Sequence, residues 1–420
     1  MTAPPPPSPA SPPATADTPV IVSAPPPGHR HARRFTDDFS LSALVAGVIA
    51  VLTGFTSSAV LMYQAGAAAH LSDLQIASWM AGLSLAIGVI TIFLSLRWRM
   101  PIVIAWSTPG AALLISSLPG VPYAEAIGAY LISAALIVAI GLSGWTDALM
   151  RRIPAAITAA LLAGILFRIA IAVFPVVSRE PVTLLLMLAS YLLAKRVQPR
   201  YAIVVALVVG VIAGAAAGHL DFSAVHPQLV SPVFTLPRFS VAATVSIGLP
   251  LFIVAMTSQN MPGLAVLRAD HYKVRSSTLL GATGFASLLT APFGAHGVTV
   301  AAISAAICTG PDAHEDPRRR YVAAVVAGVL YLLAALFAST IAALIAALPG
   351  ALVLAVAALA LLGSMGQGLA DALRAPGERE AALLTFLITA SGITVLSIGS
   401  AFWGVLVGVV AQAVLGWRRR

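Results

Sequence analysis

Long apolar stretches alternate with short polar breaks from Phe39 to the end of this chain of 420 residues. A helix needs about 20 consecutive apolar residues to cross the hydrocarbon core of a bilayer. By this measure the chain is predicted to cross a membrane fourteen times. The predicted crossings are 40–66, 72–96, 100–118, 123–145, 154–174, 181–195, 201–218, 239–259, 275–291, 292–309, 320–346, 349–370, 380–396 and 398–416. The third and tenth are short and interrupted by Pro or Gly, so twelve or thirteen continuous helices are an equally natural count.

The positions of Lys and Arg decide between these counts, because cytoplasmic loops collect basic residues. If the N-terminus is inside and the chain crosses fourteen times, only Arg179 and Arg238 lie outside, and Arg168 lies in the outer half of the fifth crossing. Leaving out the third or the tenth crossing alone moves the basic clusters that follow to the wrong side. We therefore predict fourteen crossings with both termini in the cytoplasm.

The amino-acid composition excludes two classes of protein. Apolar residues make up 59% of it and charged residues 9%, against roughly a quarter charged in soluble domains. With a mean hydropathy of +0.95, a soluble enzyme and a nucleic-acid-binding protein are excluded. The net charge of +9 reflects topology, so no nucleic-acid partner is expected. The single Cys308 forms no intramolecular disulfide, and no motif indicates a metal or a cofactor. Residues 1–38 are rich in Pro, Ala and Ser, and we expect a disordered cytoplasmic tail there.

Fourteen crossings divide into two sets of seven, and an odd number per set inserts the second set upside down. The fold class expected is therefore an all-α polytopic membrane protein with a 7+7 inverted repeat. The third and tenth crossings correspond as broken spans. In the third, the stretch Ile102–Trp106 precedes Ser107-Thr108-Pro109-Gly110; in the tenth, Pro292-Phe293-Gly294-Ala295-His296-Gly297 precedes a helical pattern.

Each break has a physical interpretation. Ser or Thr before Pro is typical of a helix N-cap, so we expect a half-helix to begin at Pro109 in mid-membrane and residues 102–106 to be extended. Extended backbone at that depth is tolerated only inside the bundle, where the two broken spans can lie together and pair as strands. The second half-helix is expected to begin at Gly297. Two helix N-termini that meet at the midplane favour an anion such as a carboxylate.

Candidate site residues cluster around these breaks. No Asp or Glu lies at the centre of a crossing, so His296 is the ionisable group at that depth, either as a proton-responsive group facing a substrate or as a neutral histidine capping carbonyl groups. Gln259 and Asn260 can orient a ligand through uncharged hydrogen bonds, or can hold helices together. Six further candidates lie in the polar cluster of the first crossing or next to the breaks, with ordinary packing as the alternative for the rings: Thr56, Ser57, Phe55, Trp106, Phe293 and Gly294. Arg168 is expected to reach the outer headgroups.

Three stretches resemble one family: WMAGLSLAIGVITIFLSLRWRMPIVIAWSTPGAALL at 79–114, MTSQNMPGLAVLRADHY at 256–272 and TAPFGAHGVTVAAISAAICTGPDAHEDPRRRY at 290–321. They are similar to the benzoate/proton symporter family (benzoate membrane transport protein, BenE), over most of the chain from about residue 40. The resemblance implies a multi-pass bacterial inner-membrane transporter that carries benzoate or a similar aromatic carboxylate inward with a proton. An uncoupled or exchanging transporter of another organic or inorganic anion is the alternative, and an intramembrane enzyme or a structural scaffold fits less well.

The resemblance extends to the architecture of uracil permease-type transporters, with a core domain that moves against a gate domain and a possible homodimer. It implies a core domain of 39–146 and 238–346 and a gate domain of 147–237 and 347–420. The motif positions carried over are Ser107, Thr108, Pro109, Gly110, Gly294, His296 and Gly297. Acidic residues of the uracil permease relatives are replaced here by Ser258, Gln259 or Asn260, which favours an anionic ligand over a nucleobase.

Overall fold

The computed structural model describes residues 22–23, 35–144, 154–218, 220, 222–223, 225–396 and 398–416, and this part of the chain is mostly helical. The helices are α1 Phe35–Asp38, α2 Leu41–Ala68, α3 Asp73–Trp98, α4 Thr108–Ser117, α5 Tyr123–Ser143, α6 Ala155–Ile171, α7 Phe174–Val177, α8 Pro181–Val197, α9 Ala202–Ala216, α10 Val241–Ala269, α11 Ser276–Thr290, α12 Ile303–Thr309, α13 Tyr321–Leu336, α14 Ala338–Ala346, α15 Gly350–Ala372, α16 Arg379–Ser391 and α17 Ser400–Gly416. The strands are β1 Val22–Ser23, β2 Ile104–Trp106, β3 Tyr272–Lys273, β4 Val298–Val300, β5 Thr394–Val395 and β6 Ile398–Gly399.

Six helices within the described ranges are long and apolar enough to cross a membrane. The number rises to seven if the bent pair α13 and α14, whose axes differ by 72°, counts as one crossing. Two shorter apolar helices, Ala202–Ala216 and Ser400–Leu415, fall within two further predicted crossings. Leu and Val side chains remain exposed along these helices, for example Leu85 and Leu142. An apolar surface of this kind is suited to lipid rather than to water.

Helix α10 differs from its prediction, because it continues to Ala269 instead of ending near residue 259. Pro262 lies in its continuation, where a proline removes one backbone hydrogen bond and crowds the preceding turn. The structure has a π turn at Met256–Asn260 directly before that proline, and another at Thr244–Gly248. Such a turn inserts an extra residue and is frequent at functional sites. The predicted end near residue 259 was wrong because the helix continues through the polar run and through Pro262.

Helices pack mainly with partners from the same expected domain. Within the expected core domain, α13 packs on α2 and α3, and α11 packs on α5. Within the expected gate domain, α15 and α16 pack on α6, and α9 packs on α8. Fewer contacts join the two sets, such as those of α4 with α6 and of α15 with α2. The strands β2 and β4 lie inside the first set.

Two short pieces of the expected tail belong to the described part. Val22–Ser23 pairs in parallel with Tyr272–Lys273, in the loop between α10 and α11. Helix α1 carries Asp38, which is 2% exposed and accepts hydrogen bonds from Arg99 Nη1 at 3.1 Å and from the Tyr321 hydroxyl at 2.9 Å. These bonds tie the start of α2 to the end of α3 and the start of α13. The rest of residues 1–34 lies outside the described residues.

Replacement of glycine by alanine should have opposite effects on stability at two positions. A β-carbon at Gly128 in α5 would overlap with the backbone oxygen of Arg238, whereas one at Gly363 in α15 meets no atom within 4 Å. We expect Gly128→Ala to lower the free energy of unfolding by about 1–3 kcal/mol, as overpacking does. Gly363→Ala should leave it unchanged or raise it by up to about 1 kcal/mol, because Ala favours helix over Gly. Thermal unfolding of both variants in detergent measures this, and equal midpoints would contradict the packing of α5 on the loop that contains Arg238.

Candidate functional site

Two antiparallel strands bring the third and tenth predicted crossings side by side. Strand β2 pairs with β4 so that Trp106 faces Val298 and Ile104 faces Val300. The pair is buried on both strands except for partly exposed Ala105. Val103 O accepts from Ala301 N at 3.0 Å, and Ala105 O accepts from the Thr299 hydroxyl at 3.2 Å. Extended backbone in the interior of a helical protein is thereby hydrogen-bonded, as an apolar environment requires.

Helix α4 starts directly after β2. Its N-cap is Ser107, whose hydroxyl oxygen accepts from Gly110 N at 3.1 Å, and Pro109 lies in the first turn. The hydroxyl groups of Thr108 and Ser58 are 2.5 Å apart, so the helix start is bonded to α2. Pro109 carries no N–H and the Gly110 N–H has a partner, so Thr108 supplies the remaining backbone donor of the first turn. The positive end of the α4 dipole points away from Ser117, toward β2.

The second predicted half-helix starts later than expected. Helix α12 begins at Ile303, whereas Gly297 was expected to begin it, and β4 occupies the residues in between. The run Val298-Thr299-Val300 is β-branched and fits a pleated strand better than a helix. Gly294 and Gly297 have φ values of 102° and 134°, which a residue with a side chain rarely adopts. Both glycines therefore shape the loop before β4, and neither lies at a helix N-terminus.

His296 lies in this loop and is 2% exposed. The Trp79 indole N–H donates to its Nδ1 at 3.0 Å, and its Nε2 is 3.1 Å from the carbonyl oxygen of Ser107. An indole nitrogen only donates, so Nδ1 accepts, and the proton of the neutral ring lies on Nε2 and is donated to Ser107. His296 therefore joins α3 to the N-cap of α4 as a neutral histidine whose two ring nitrogens are both hydrogen-bonded.

The two amides on the second π turn of α10 occupy different environments. Asn260 is completely buried; its Oδ1 accepts from Val300 N at 2.9 Å, and its Nδ2 lies 3.6 Å from the Met256 sulfur. Asn260 therefore holds the end of β4. Gln259 is half-buried, and its side chain has no hydrogen-bond partner among the residues that the structure describes. Of the two amides, Gln259 is the one available to a ligand.

Three rings form a cluster beside the start of α4. Phe55 lies 5.0 Å from Trp106 and 6.2 Å from Tyr331, and Trp106 lies 5.7 Å from Tyr331, as distances between ring centroids. The buried Trp106 Nε1 and Tyr331 hydroxyl have no hydrogen-bond partner in the described part of the chain. Phe293, which was expected beside these rings, instead has its ring contact with Phe234 at 5.8 Å. Phe293 lies in a 3₁₀ turn at the end of α11, and Phe234 lies on the loop before α10.

Sequence reasoning missed Trp79, Tyr331 and Ser304. Ser304, near the start of α12, donates to Ala50 O at 3.2 Å, and a β-carbon at Gly54 would lie 3.0 Å from its hydroxyl and 3.3 Å from that of Tyr331. A hydroxyl or an indole in an otherwise apolar predicted span is the signal that these residues offered. Thr56 and Ser57 lie on α2 next to Phe55, but their side chains are outside the described residues.

Comparisons with known proteins show the family of this chain. The sequence model described as benzoate membrane transport protein matches residues 37–414. The chain belongs to the benzoate membrane transport protein family. It is 45% identical over 372 residues to the inner membrane protein YdcO of Escherichia coli K12, covering 89% of this chain and 95% of that protein. It is 37% identical over 378 residues to the benzoate membrane transport protein of Acinetobacter baylyi, covering 90% of this chain and 96% of that protein.

Solved structures share the fold at low sequence identity. The overall structure of SLC26A9 gives a TM-score of 0.59 at 14% identity; the match covers 91% of this chain and 66% of that one, just under two thirds. The transmembrane domain of the cyanobacterial bicarbonate transporter BicA gives 0.51 at 12% identity and covers 89% and 96%. These likenesses concern the fold alone. This member of the benzoate membrane transport protein family is thus a multi-pass membrane transport protein rather than an enzyme.

Proposed function

We propose that this protein imports benzoate or a related aromatic carboxylate together with a proton across the bacterial inner membrane. The observation that carries the proposal is the site where β2 and β4 lie side by side, with the positive end of α4, the Gln259 amide and three rings. The site residues described above include no carboxylate that would repel an anion. Membership in the benzoate membrane transport protein family supports a benzoate-like substrate. The relative that is an inner membrane protein supports a location in the inner membrane.

The ligand would lie with its carboxylate at the first turn of α4, near Thr108 and Gly110. The aromatic ring would pack on Phe55 and Trp106, whose stacked and edge contacts are worth about 0.5–1.5 kcal/mol per ring pair beyond area burial. Gln259 would donate to the carboxylate from the π turn of α10. The remaining motif residues Pro109, Gly294 and Gly297 would set the backbone, because their conformations fix where α4 and β4 begin.

The fold proposed for transport has fourteen crossings as a 7+7 inverted repeat, with β2–α4 and β4–α12 as the broken spans. The core domain carries the site, and the gate domain of α6 to α9 and α15 to α17 closes it alternately from each side. The antiparallel pairing of β2 with β4 supports this proposal, because segments related by an in-plane two-fold axis run in opposite directions.

His296 is the proposed proton carrier. Its Nδ1 accepts from Trp79, so a proton on Nδ1 would face the indole N–H and separate the two rings. Protonation would thereby loosen the contact between α3 and the N-cap of α4, at the point where the carboxylate binds. Tyr130 of α5 is the other titratable group with a ring contact to His296, at 6.5 Å. Coupling of this kind makes uptake respond to pH without an acidic side chain in the site.

An uncoupled or exchanging anion transporter is the second candidate. The observation that favours it is that both nitrogens of His296 are already hydrogen-bonded, so the ring has no free position for a proton in this arrangement. Transport that persists at the same rate without a proton gradient would support this candidate.

Competition for uptake tests the substrate class. Labelled benzoate is offered to proteoliposomes at neutral pH, and uptake into protein-free liposomes is subtracted because the neutral acid crosses lipid unaided. We expect saturable uptake that ring-substituted benzoates inhibit and that sulfate, bicarbonate and uracil do not. No saturable benzoate uptake, or inhibition by the inorganic anions at similar concentrations, would overturn the assignment.

A further inference from the structure

A small polar cavity lies between the expected core and gate domains, away from the strand pair. Its lining includes Ser116 and Ser117 of α4, Arg168 of α6, Thr389 of α16 and Ser400 of α17. Its volume of about 20 Å³ is room for about one water molecule. Two of the lining helices, α4 and α10, belong to the expected core domain, and the other three belong to the expected gate domain. A movement of one domain against the other therefore changes the volume of this cavity.

Arg168 is the charged group of the cavity. No ion pair or hydrogen bond engages its guanidinium within the part of the chain that the structure describes. The guanidinium lies against Gly392, where a β-carbon would overlap with Nη1. Gly392 ends α16 with a φ of 67°, so a glycine meets both the backbone and the space requirement there. The Arg168 side chain is exposed, and an arginine in the outer half of a predicted crossing without a carboxylate partner is a candidate for a functional role.

Residues with hydroxyl groups line the same cavity as Arg168. Ser116 and Ser117 donate to Leu113 O at 3.0 Å and 2.9 Å, and Ser400 donates to Thr389 O at 3.0 Å. The Thr389 hydroxyl itself is buried and has no partner among the described residues. Hydroxyl groups exchange such local bonds for bonds to an incoming anion, and a guanidinium adds a paired, charge-assisted contact to a carboxylate.

The cavity lies on the outer side of the proposed site in the proposed topology. Ser116 is six residues after Gly110 on α4, a rise of about 9 Å along the helix. Arg168 is near the C-terminal end of α6, and Arg151 and Arg152, which precede α6 in the sequence, are expected in the cytoplasm. The cavity is therefore on the outer side in the proposed topology. In that topology an anion that enters from outside would meet the guanidinium before the first turn of α4.

We propose that the cavity around Arg168 is a second anion-binding site, which receives the carboxylate of the incoming aromatic acid when core and gate separate. The inference rests on the proposed function, because it takes the same substrate class. The site binds the carboxylate transiently and raises the rate of capture from the outer side. The ring remains outside the cavity, whose volume accepts a carboxylate only after the domains move apart.

Benzoate kinetics in Arg168→Gln, Arg168→Lys and Arg179→Gln test the inference. Arg179 is exposed on the same expected side and does not line the cavity, so its replacement removes an equal charge as a control. In intact cells, after subtraction of uptake by cells without the protein, we expect Arg168→Gln to raise KM about tenfold at low salt, the size of one charged hydrogen bond. Maximal rate should change less than about twofold, Arg168→Lys should retain most of the affinity, and Arg179→Gln should match the wild type.

The side of entry separates capture from a structural role. In inside-out vesicles, where substrate enters from the cytoplasmic face, the KM of Arg168→Gln should equal that of the wild type. An unchanged KM for uptake from outside overturns the inference. An equal rise of KM from both sides with a lowered melting temperature also overturns it, because it would indicate that Arg168 stabilises the structure around Gly392. If the wild type itself shows no saturable benzoate uptake, the proposed function fails instead.

Discussion

Replacing His296 with glutamine should abolish accumulation of benzoate driven by a pH gradient while exchange of benzoate across the membrane continues. Glutamine cannot take up a proton in this pH range, but its amide can still donate to the Ser107 carbonyl that now accepts from Nε2 at 3.1 Å. The helix start at α4 therefore keeps its hydrogen bond and the site keeps its shape. Counterflow of labelled benzoate at equal pH measures exchange, and uptake under an imposed pH gradient measures coupling.

Alanine at the same position is the control for the structural part of this role. His296→Ala leaves the buried Trp79 indole N–H without its partner, at about 1–3 kcal/mol. The Ser107 carbonyl keeps only the bond from Ala111 N at 2.8 Å, so both counterflow and stability should fall. Trp79→Phe removes the donor to Nδ1 and keeps most of the ring volume; it should shift the pH profile of uptake while exchange remains. If His296→Gln keeps the full and unshifted pH dependence of the wild type, the histidine is not part of the coupling mechanism.

Replacing Asn260 with alanine should unfold the protein more readily, and replacing its neighbour Gln259 with alanine should not. Asn260 Oδ1 accepts from Val300 N at 2.9 Å in a completely buried position. Removing that acceptor leaves a buried N–H without a partner and a cavity beside β4, a loss of about 1–3 kcal/mol from the unpaired group alone. Thermal unfolding in detergent measures the change, and we expect a clearly lower midpoint for Asn260→Ala than for Gln259→Ala.

Transport measurements should also distinguish the two variants. Gln259 is half-buried and free of hydrogen bonds to described residues, so Gln259→Ala should raise the KM for benzoate by roughly 2- to 10-fold, the size of one lost hydrogen bond. Its melting temperature should equal that of the wild type. A Gln259→Ala variant with unchanged KM would remove this amide from the ligand site. An Asn260→Ala variant with unchanged stability would contradict the bond that holds β4.

The local features of the site follow from the sequence near them. Ser107 before Pro109 predicted an N-cap, and the structure has Ser107 as the N-cap of α4 after an extended stretch at Ile104–Trp106. The apolar stretches of the chain predicted most helix bounds within a few residues, because an apolar stretch and the polar residues at its ends are local features of the sequence. The same reasoning placed the start of the second half-helix at Gly297, since a glycine pair beside small residues did not reveal that Val298-Thr299-Val300 forms a strand.

The sequence did not predict hydrogen-bond partners that lie far apart along the chain. Trp79 and His296 are 217 positions apart, and Asn260 and Val300 are 40 positions apart, so nothing in either segment indicates which polar group satisfies the other. Asn260 was predicted as a ligand-binding candidate on chemistry alone, and its bond to β4 comes from the approach of α10 to that strand. Phe293 was a candidate because, like Trp106, it flanks a polar break, whereas its position at the end of α11 brings its ring against Phe234.

Simultaneous recording of proton and benzoate movement tests the central claim most directly. Proteoliposomes containing a pH-sensitive dye receive labelled benzoate at neutral pH, and protein-free liposomes provide the background from passive entry of the neutral acid. We predict saturable internal acidification that keeps a constant ratio to saturable benzoate uptake, is lost in His296→Gln, and does not respond to an imposed membrane potential. Saturable benzoate uptake without proton movement above background, at a rate set by the membrane potential, would contradict proton symport.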